Sequence, residues 1–183
     1  MKWLKRIAIV LAPLIVLPVV TLLILGQRSG AGQMHASAEI SASPAQLWSW
    51  IDDGQRLKQW VSWMVEARAW DKPAGVGARR VLVMRDENNG GAIMEIEGTC
   101  TEYSPPSRLT MLLAVKDAFD GQQLYRLTDL GNGRTRLDVE SRYHLTNPLA
   151  RLMEPLVTPQ AEKKLVGDVA RLKSMVESRA EVR

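Results

Sequence analysis

Between Glu66 and Leu145 the chain is interrupted at short intervals by turn chemistry: Lys72-Pro73-Ala74-Gly75, Asn88-Asn89-Gly90-Gly91, Ser104-Pro105-Pro106-Ser107, Asp117 to Gly121 and Gly131-Asn132-Gly133. Glycine, asparagine and proline supply the positive or fixed φ angles that tight reversals need. The intervals leave no room for crossover helices, so the segments between them must be antiparallel strands of a meander. The expected strands are Glu66 to Trp70, Ala78 to Arg85, Ala92 to Tyr103, Arg108 to Val115, Gln122 to Leu130 and Arg134 to Leu145. Alternation then sorts their faces. Leu137, Val139, Ser141, Tyr143 and Leu145 fall on one side of the last strand, and Arg136, Asp138, Glu140, Arg142 and His144 on the other. One face is buried and one is wet. The same period sets Met94, Ile96, Gly98 and Cys100 inward, and Leu109, Met111, Leu113 and Val115 with them.

Helical signals bracket this meander. Ala36 to Ser41 reads as a first strand, and Ser43-Pro44 after it pairs a cap residue with proline at the first helical position. Leu47, Trp48 and Ile51 share a helical face, Asp52-Asp53-Gly54 ends it, and Gln55 to Trp60 makes at most two more turns. From Asn147 onward Leu149, Leu152, Met153 and Leu156, then Ala161, Leu165, Val169, Leu172 and Val176, recur at three- and four-residue spacing. Pro155 and Pro159 interrupt the pattern, and Thr158-Pro159 resembles a cap with its first residue, so a kink or break is expected near Thr158. The fold class is therefore α+β, an antiparallel sheet with a long C-terminal helix on its buried face.

The N-terminal end is of another kind. Residues 7–26 carry no charge, and twenty residues in a helix span about 30 Å, the hydrocarbon thickness of a bilayer. Transmembrane helices tolerate prolines such as Pro13 and Pro18. A cleaved signal peptide usually has a shorter apolar region and a clear small-residue site; Ser29-x-Ala31 is a poor one. Lys2, Lys5 and Arg6 precede the run and Arg28 alone follows it, which places the N-terminus in the cytoplasm and the domain on the periplasmic or extracellular side. The chain thus divides into a basic flank (1–6), a single transmembrane helix (7–26), a flexible linker (27–35), the domain (36–178) and a tail (179–183).

Net charge is +4, but removing Lys2, Lys5, Arg6 and Arg28 from the 24 basic residues leaves 20 against 20 acidic ones. The pI of about 9.4 belongs to the N-terminal end, and no basic face points to nucleic acid. One cysteine rules out an intramolecular disulfide, and one cysteine with two histidines gives no metal-site pattern.

In its order of elements the chain resembles the START-like, SRPBCC superfamily, in its polyketide cyclase/dehydrase-like branch. The resemblance covers residues 36 to about 177 and rests on Ser43-Pro44-Ala45-Gln46-Leu47-Trp48, Gln59-Trp60, Gly75-Val76-Gly77-Ala78, Glu102 to Leu109, Gly131 to Leu137 and Ala170-Arg171-Leu172-Lys173. It implies a helix-grip fold with a hydrophobic cavity between sheet and terminal helix, which in that superfamily takes lipids, sterols, polyketides or other apolar molecules. Only some members are enzymes.

Six tryptophans accompany a single phenylalanine, and five of them lie between Trp48 and Trp70. Trp48 and Trp60 read as core; Trp50 falls off the inward helix face and Trp63 lies in a loop, positions suited to a cavity mouth or to lipid headgroups. Met84, Met94, Met111 and Met153 fall on faces turned toward the cavity, whereas Met1 and Met34 do not. The expected ligand contacts are Trp60, Met94, Met111, Tyr125, Tyr143 and Met153. No catalytic residue, metal or cofactor is assigned: His35 and His144 lack nucleophilic neighbours, and Cys100 reads as a small hydrophobe. Arg79, Arg80, Arg85, Arg126, Arg134, Arg136 and Arg142 read as cross-strand ion-pair partners, with Arg126 alone a candidate for holding a ligand carboxylate. The leading function is a membrane-tethered binding module for an apolar small molecule or lipid. Against it stand a cyclase- or hydrolase-like enzyme using the same cavity, which needs an inward titratable group with a displaced pKa, and an interaction protein with a collapsed cavity.

Overall fold

A computed structural model of the chain describes residues 16–21, 24, 32–86, 90–146 and 148–180. Residues 16–21 and 24 are helical; the rest of the expected span, 7–26, and residues 27–31 lie outside the described residues. No helix among the described residues is long and apolar enough to cross a membrane.

Seven strands form one antiparallel sheet: β1 (Gly32–Ile40), β2 (Met64–Ala67), β3 (Arg79–Asp86), β4 (Ala92–Ser104), β5 (Arg108–Val115), β6 (Phe119–Gly131) and β7 (Arg134–Leu145). Their spatial order is β1-β7-β6-β5-β4-β3-β2, so β2 to β7 form the expected meander and β1 adds to its far edge. Helices α1 (Pro44–Asp52) and α2 (Gly54–Trp60) link β1 to β2, and α3 (Pro148–Ala180) follows β7. The sheet curves as a half-barrel around α3, the helix-grip arrangement of an α+β domain.

Local chemistry explains the boundaries. Ser43 forms a full capping box: its hydroxyl accepts from the Gln46 N–H at 3.4 Å and the Gln46 side chain accepts from the Ser43 N–H at 3.0 Å. Asp53 ends α1 and caps α2, its carboxylate accepting from the Gln55 N–H at 2.7 Å. In the β6–β7 hairpin Asn132 takes a φ of 53°, which asparagine tolerates better than most residues.

The first strand starts at Gly32, four residues before the expected Ala36, so 32–35 are not linker. Gly32 pairs with Tyr143, Ala36 with Val139 and Ile40 with Thr135. Three of its inward positions, Gly32, Ala36 and Ala38, are small where α3 packs along this strand, and small residues leave weak hydrophobic contrast to read. A Cβ on Gly32 would overlap the Tyr143 ring. The second strand is shorter than expected, with Trp70 beyond its end and a register irregularity between Met64 and Glu66.

Helix α3 is continuous from Pro148 to Ala180 through both prolines, so of the expected kink or break near Thr158 there is no break. Thr158 is no cap: its hydroxyl donates back to the Glu154 carbonyl at 2.9 Å and so accepts the Tyr143 hydroxyl at 2.7 Å. Val169 and Leu172 are buried against a core that includes Leu137 and Val139. The helix is pinned along its length. Arg151 Nε donates to the Leu145 carbonyl at 2.6 Å, the Ser62 N–H donates to Asp168 at 3.2 Å, and the Ser41 N–H donates to Glu177 at 3.0 Å.

Candidate functional site

Strand parity and the grip of α3 leave a partly open cavity of about 180 Å³ between the concave sheet face and the helix. Its floor is inward side chains of the sheet, among them Leu82 and Met84 of β3, Ile96 of β4 and Met111 of β5. Trp60, Val61 and Trp63 wall one side, and Ala161, Lys164, Leu165 and Asp168 of α3 cover it. The lining is overwhelmingly apolar, the character of a small-molecule site.

Of the six expected contacts, Trp60, Met111 and Tyr125 line the cavity and Met94, Tyr143 and Met153 do not. Met94 has the right parity but sits opposite Met84, next to the β3–β4 turn and beyond the cavity. Tyr143 is held against Gly32 and Thr158 and borders a separate open groove with Leu113, Gly121 and His144. Met153 is 49% exposed, because the first part of α3 turns that face outward. Conversely Met34, discounted in the sequence, lines the cavity, since the earlier start of β1 turns it inward. Met64 and Gln123 were also missed. Trp63 lies at the cavity as its loop position suggested, whereas Trp50 is buried, its carbonyl accepting the Trp60 indole N–H at 2.9 Å.

Few polar groups reach this space. Asp168 is 7% exposed, and burial pushes its carboxyl above the usual carboxylate range against the Ser62 hydrogen bond and the charges of Arg171 and Lys164. Lys164 Nζ lies 4.0 Å from the centre of the Trp63 ring, a cation–π contact. The Trp63 indole N–H and the Gln123 amide nitrogen are buried with no hydrogen-bond partner. Burial also pushes the Tyr125 phenol up to about 12, so it stays protonated and able to donate. Asp168 meets the requirement set for an enzymatic reading, and the strand alternation did not show it because it projects from α3.

The arginines divide differently from the expectation. Arg126 is exposed, on the outer face with Arg108 and Arg142. Arg80 is the buried one, 3% exposed, and it makes no cross-strand ion pair among the described residues. Nor do the described residues contain a cluster of three histidine, cysteine or acidic side chains that would hold a metal ion.

A family model described as polyketide cyclase/dehydrase and lipid transport matches residues 31–177. The chain belongs to this family. Among solved structures, a START superfamily protein from Mycobacterium smegmatis superposes with TM-score 0.65 at 17% identity, covering 80% of this chain and 98% of that one. Protein NE0264 from Nitrosomonas europaea gives 0.62 at 16% identity, over 82% and 97% of the two chains. StfQ, a di-domain aromatase/cyclase from the steffimycin biosynthetic pathway, gives 0.65 at 8% identity, covering 84% of this chain and 53% of StfQ. At these identities the likeness shows the fold shared by this polyketide cyclase/dehydrase and lipid transport family member. No curated protein matches the sequence.

Proposed function

We propose that the protein is a membrane-tethered module that binds an apolar small molecule or a lipid chain in the cavity between the sheet and α3. The observation that carries this reading is the apolar enclosure itself. A cavity of ~150 Å³ lined by aliphatic and aromatic side chains stays dry and takes up benzene. The space here, about 180 Å³, suits one aromatic ring or a comparable stretch of hydrocarbon chain. The four cavity methionines, Met34, Met64, Met84 and Met111, give it a lining that adapts to shape.

Tethering rests on the uncharged run 7–26 and its basic flank, with the domain on the periplasmic or extracellular side. It is supported by the exposed side chains of Met153, Leu156 and Val157 on α3. They flank Thr158, which joins Tyr143 and hence Gly32, the residue at which the N-terminal segment meets the domain. A second reading, a cyclase- or hydrolase-like enzyme, is favoured by Asp168, whose raised pKa at the cavity suits proton transfer.

The test is extraction of the purified full-length chain with organic solvent and mass spectrometry of the extract, beside a Met111→Trp variant whose indole fills the cavity. A bound apolar compound in the wild type that is depleted in the variant is expected. Indistinguishable extracts would sink the cavity reading.

A further inference from the structure

Arg80 is a buried cation, 3% exposed, and no acidic side chain pairs with it among the described residues. The pairing of Arg80 with Gly98 turns it to the concave side of the sheet. Gly98 has no side chain there, and an added Cβ would lie 3.4 Å from the Leu113 side chain and 3.8 Å from Met111 Sδ. Nη1 donates to the Asp52 carbonyl at 3.2 Å, Nη2 to Met111 Sδ at 3.5 Å, and Nε has no partner. The Trp70 ring lies 4.3 Å from the guanidinium carbon. Asp52 is the nearby acid, yet one of its oxygens accepts the Tyr103 hydroxyl at 2.9 Å and the other is buried with no partner.

A guanidinium keeps its charge even when burial lowers its pKa, as it does here. A buried cation without a matched anion is strongly unfavourable unless something else meets it. A thioether is a weak acceptor, and Met111 is also a wall of the cavity, so its sulfur stands between Arg80 and the ligand space. Tyr125, beside the same wall, is an un-ionised donor.

We infer that the inner end of the cavity is an acid-binding subsite: the ligand is an apolar carboxylic acid whose carboxylate replaces Met111 Sδ on Arg80. This rests on the cavity-binding reading and adds the chemical class of the ligand. Arg80 supplies two parallel N–H donors, the arrangement that pairs bidentately with a carboxylate, and Tyr125 supplies a third. The apolar body then lies along Met111, Ile96 and Leu82 toward α3.

The experiment measures binding of 4-propylbenzoate and of its neutral counterpart 4-propylacetophenone to the full-length chain in nanodiscs, by equilibrium dialysis corrected with empty nanodiscs. Wild type should prefer the acid by about tenfold or more at neutral pH. Arg80→Met should remove that preference while keeping the ketone, which also shows that the variant is folded, and Arg80→Lys should retain part of it. On the wild type alone, acid binding should fall as pH drops through the ligand's own pKa while ketone binding holds. Equal binding of the two ligands to wild type, or a preference that survives in Arg80→Met, would overturn the subsite and leave cavity binding standing. Failure of both ligands to bind wild type would remove the cavity reading and the subsite with it.

Discussion

Asp168 and Glu177 lie on one helix and titrate in opposite directions. Burial raises Asp168, whereas the Ser41 N–H and Lys173 lower Glu177. A raised carboxyl contributes stability below its unfolded value, about 3.9, and loses it as pH rises through the folded value. Glu177 does the reverse, contributing above its unfolded value and failing as pH falls. Asp168→Asn keeps an oxygen for the Ser62 N–H but cannot ionise, so its melting temperature relative to wild type should climb from acid to neutral pH. A gap that stays constant across thermal melts from about pH 3 to pH 7 would show that Asp168 does not titrate in this range. At this scale the sequence was legible where neighbouring residues contrast. Met111 and Trp60 stood out among their flanks. Arg80 did not, because Arg79-Arg80-Val81-Leu82-Val83-Met84 pairs like with like and hides which side faces in.

Element boundaries followed the turn residues closely, and β4, β5 and β7 fall almost where glycine and proline clusters put them. Two of the differences, at β1 and in α3, have physical reasons. In β1 the inward positions are Gly32, Met34, Ala36, Ala38 and Ile40, three of them too small to announce a strand. In α3 proline is read as a breaker because it lacks an N–H and crowds the carbonyl four residues before it. Pro155 and Pro159 are themselves four apart, so both lost bonds fall on one face between residues 151 and 159, while the helix is held on both sides by Arg151, Asp168 and Glu177. Pro159 is exposed, and Pro159→Ala restores a donor for the Pro155 carbonyl. A gain of about 1–3 kcal/mol is expected, from the intrinsic difference between alanine and proline in helices. Chemical denaturation reads this directly; a loss of stability would mean that the proline bends α3 to fit the sheet.

For the molecule as a whole, the helix-grip plan was legible through the family resemblance, which rests on the order of the elements and the phrases that link them. The cavity was half legible: parity gives a face, but which residues on that face stop short of α3 is a three-dimensional matter, as Met94 and Tyr143 show. The proposed membrane orientation rests on the sequence alone. Alkaline phosphatase fused after Arg183 is expected to be active and a cytoplasmic reporter at the same place silent. The opposite pair of results would place the domain in the cytoplasm.

The pairing of β1 with β7 joins residues far apart in the chain, His35 with Glu140 and Gly32 with Tyr143. During synthesis at ~5–20 residues per second, the first strand therefore waits roughly 5–20 s for β7, its partner, to be made. Until then its backbone donors and acceptors are an open template for a neighbouring chain. The hydrophilic outward side chains of this strand, Gln33, His35, Ser37 and Glu39, are consistent with a segment that must stay unaggregated through that interval. The nascent domain closes only when its last strand arrives and α3 settles over the first.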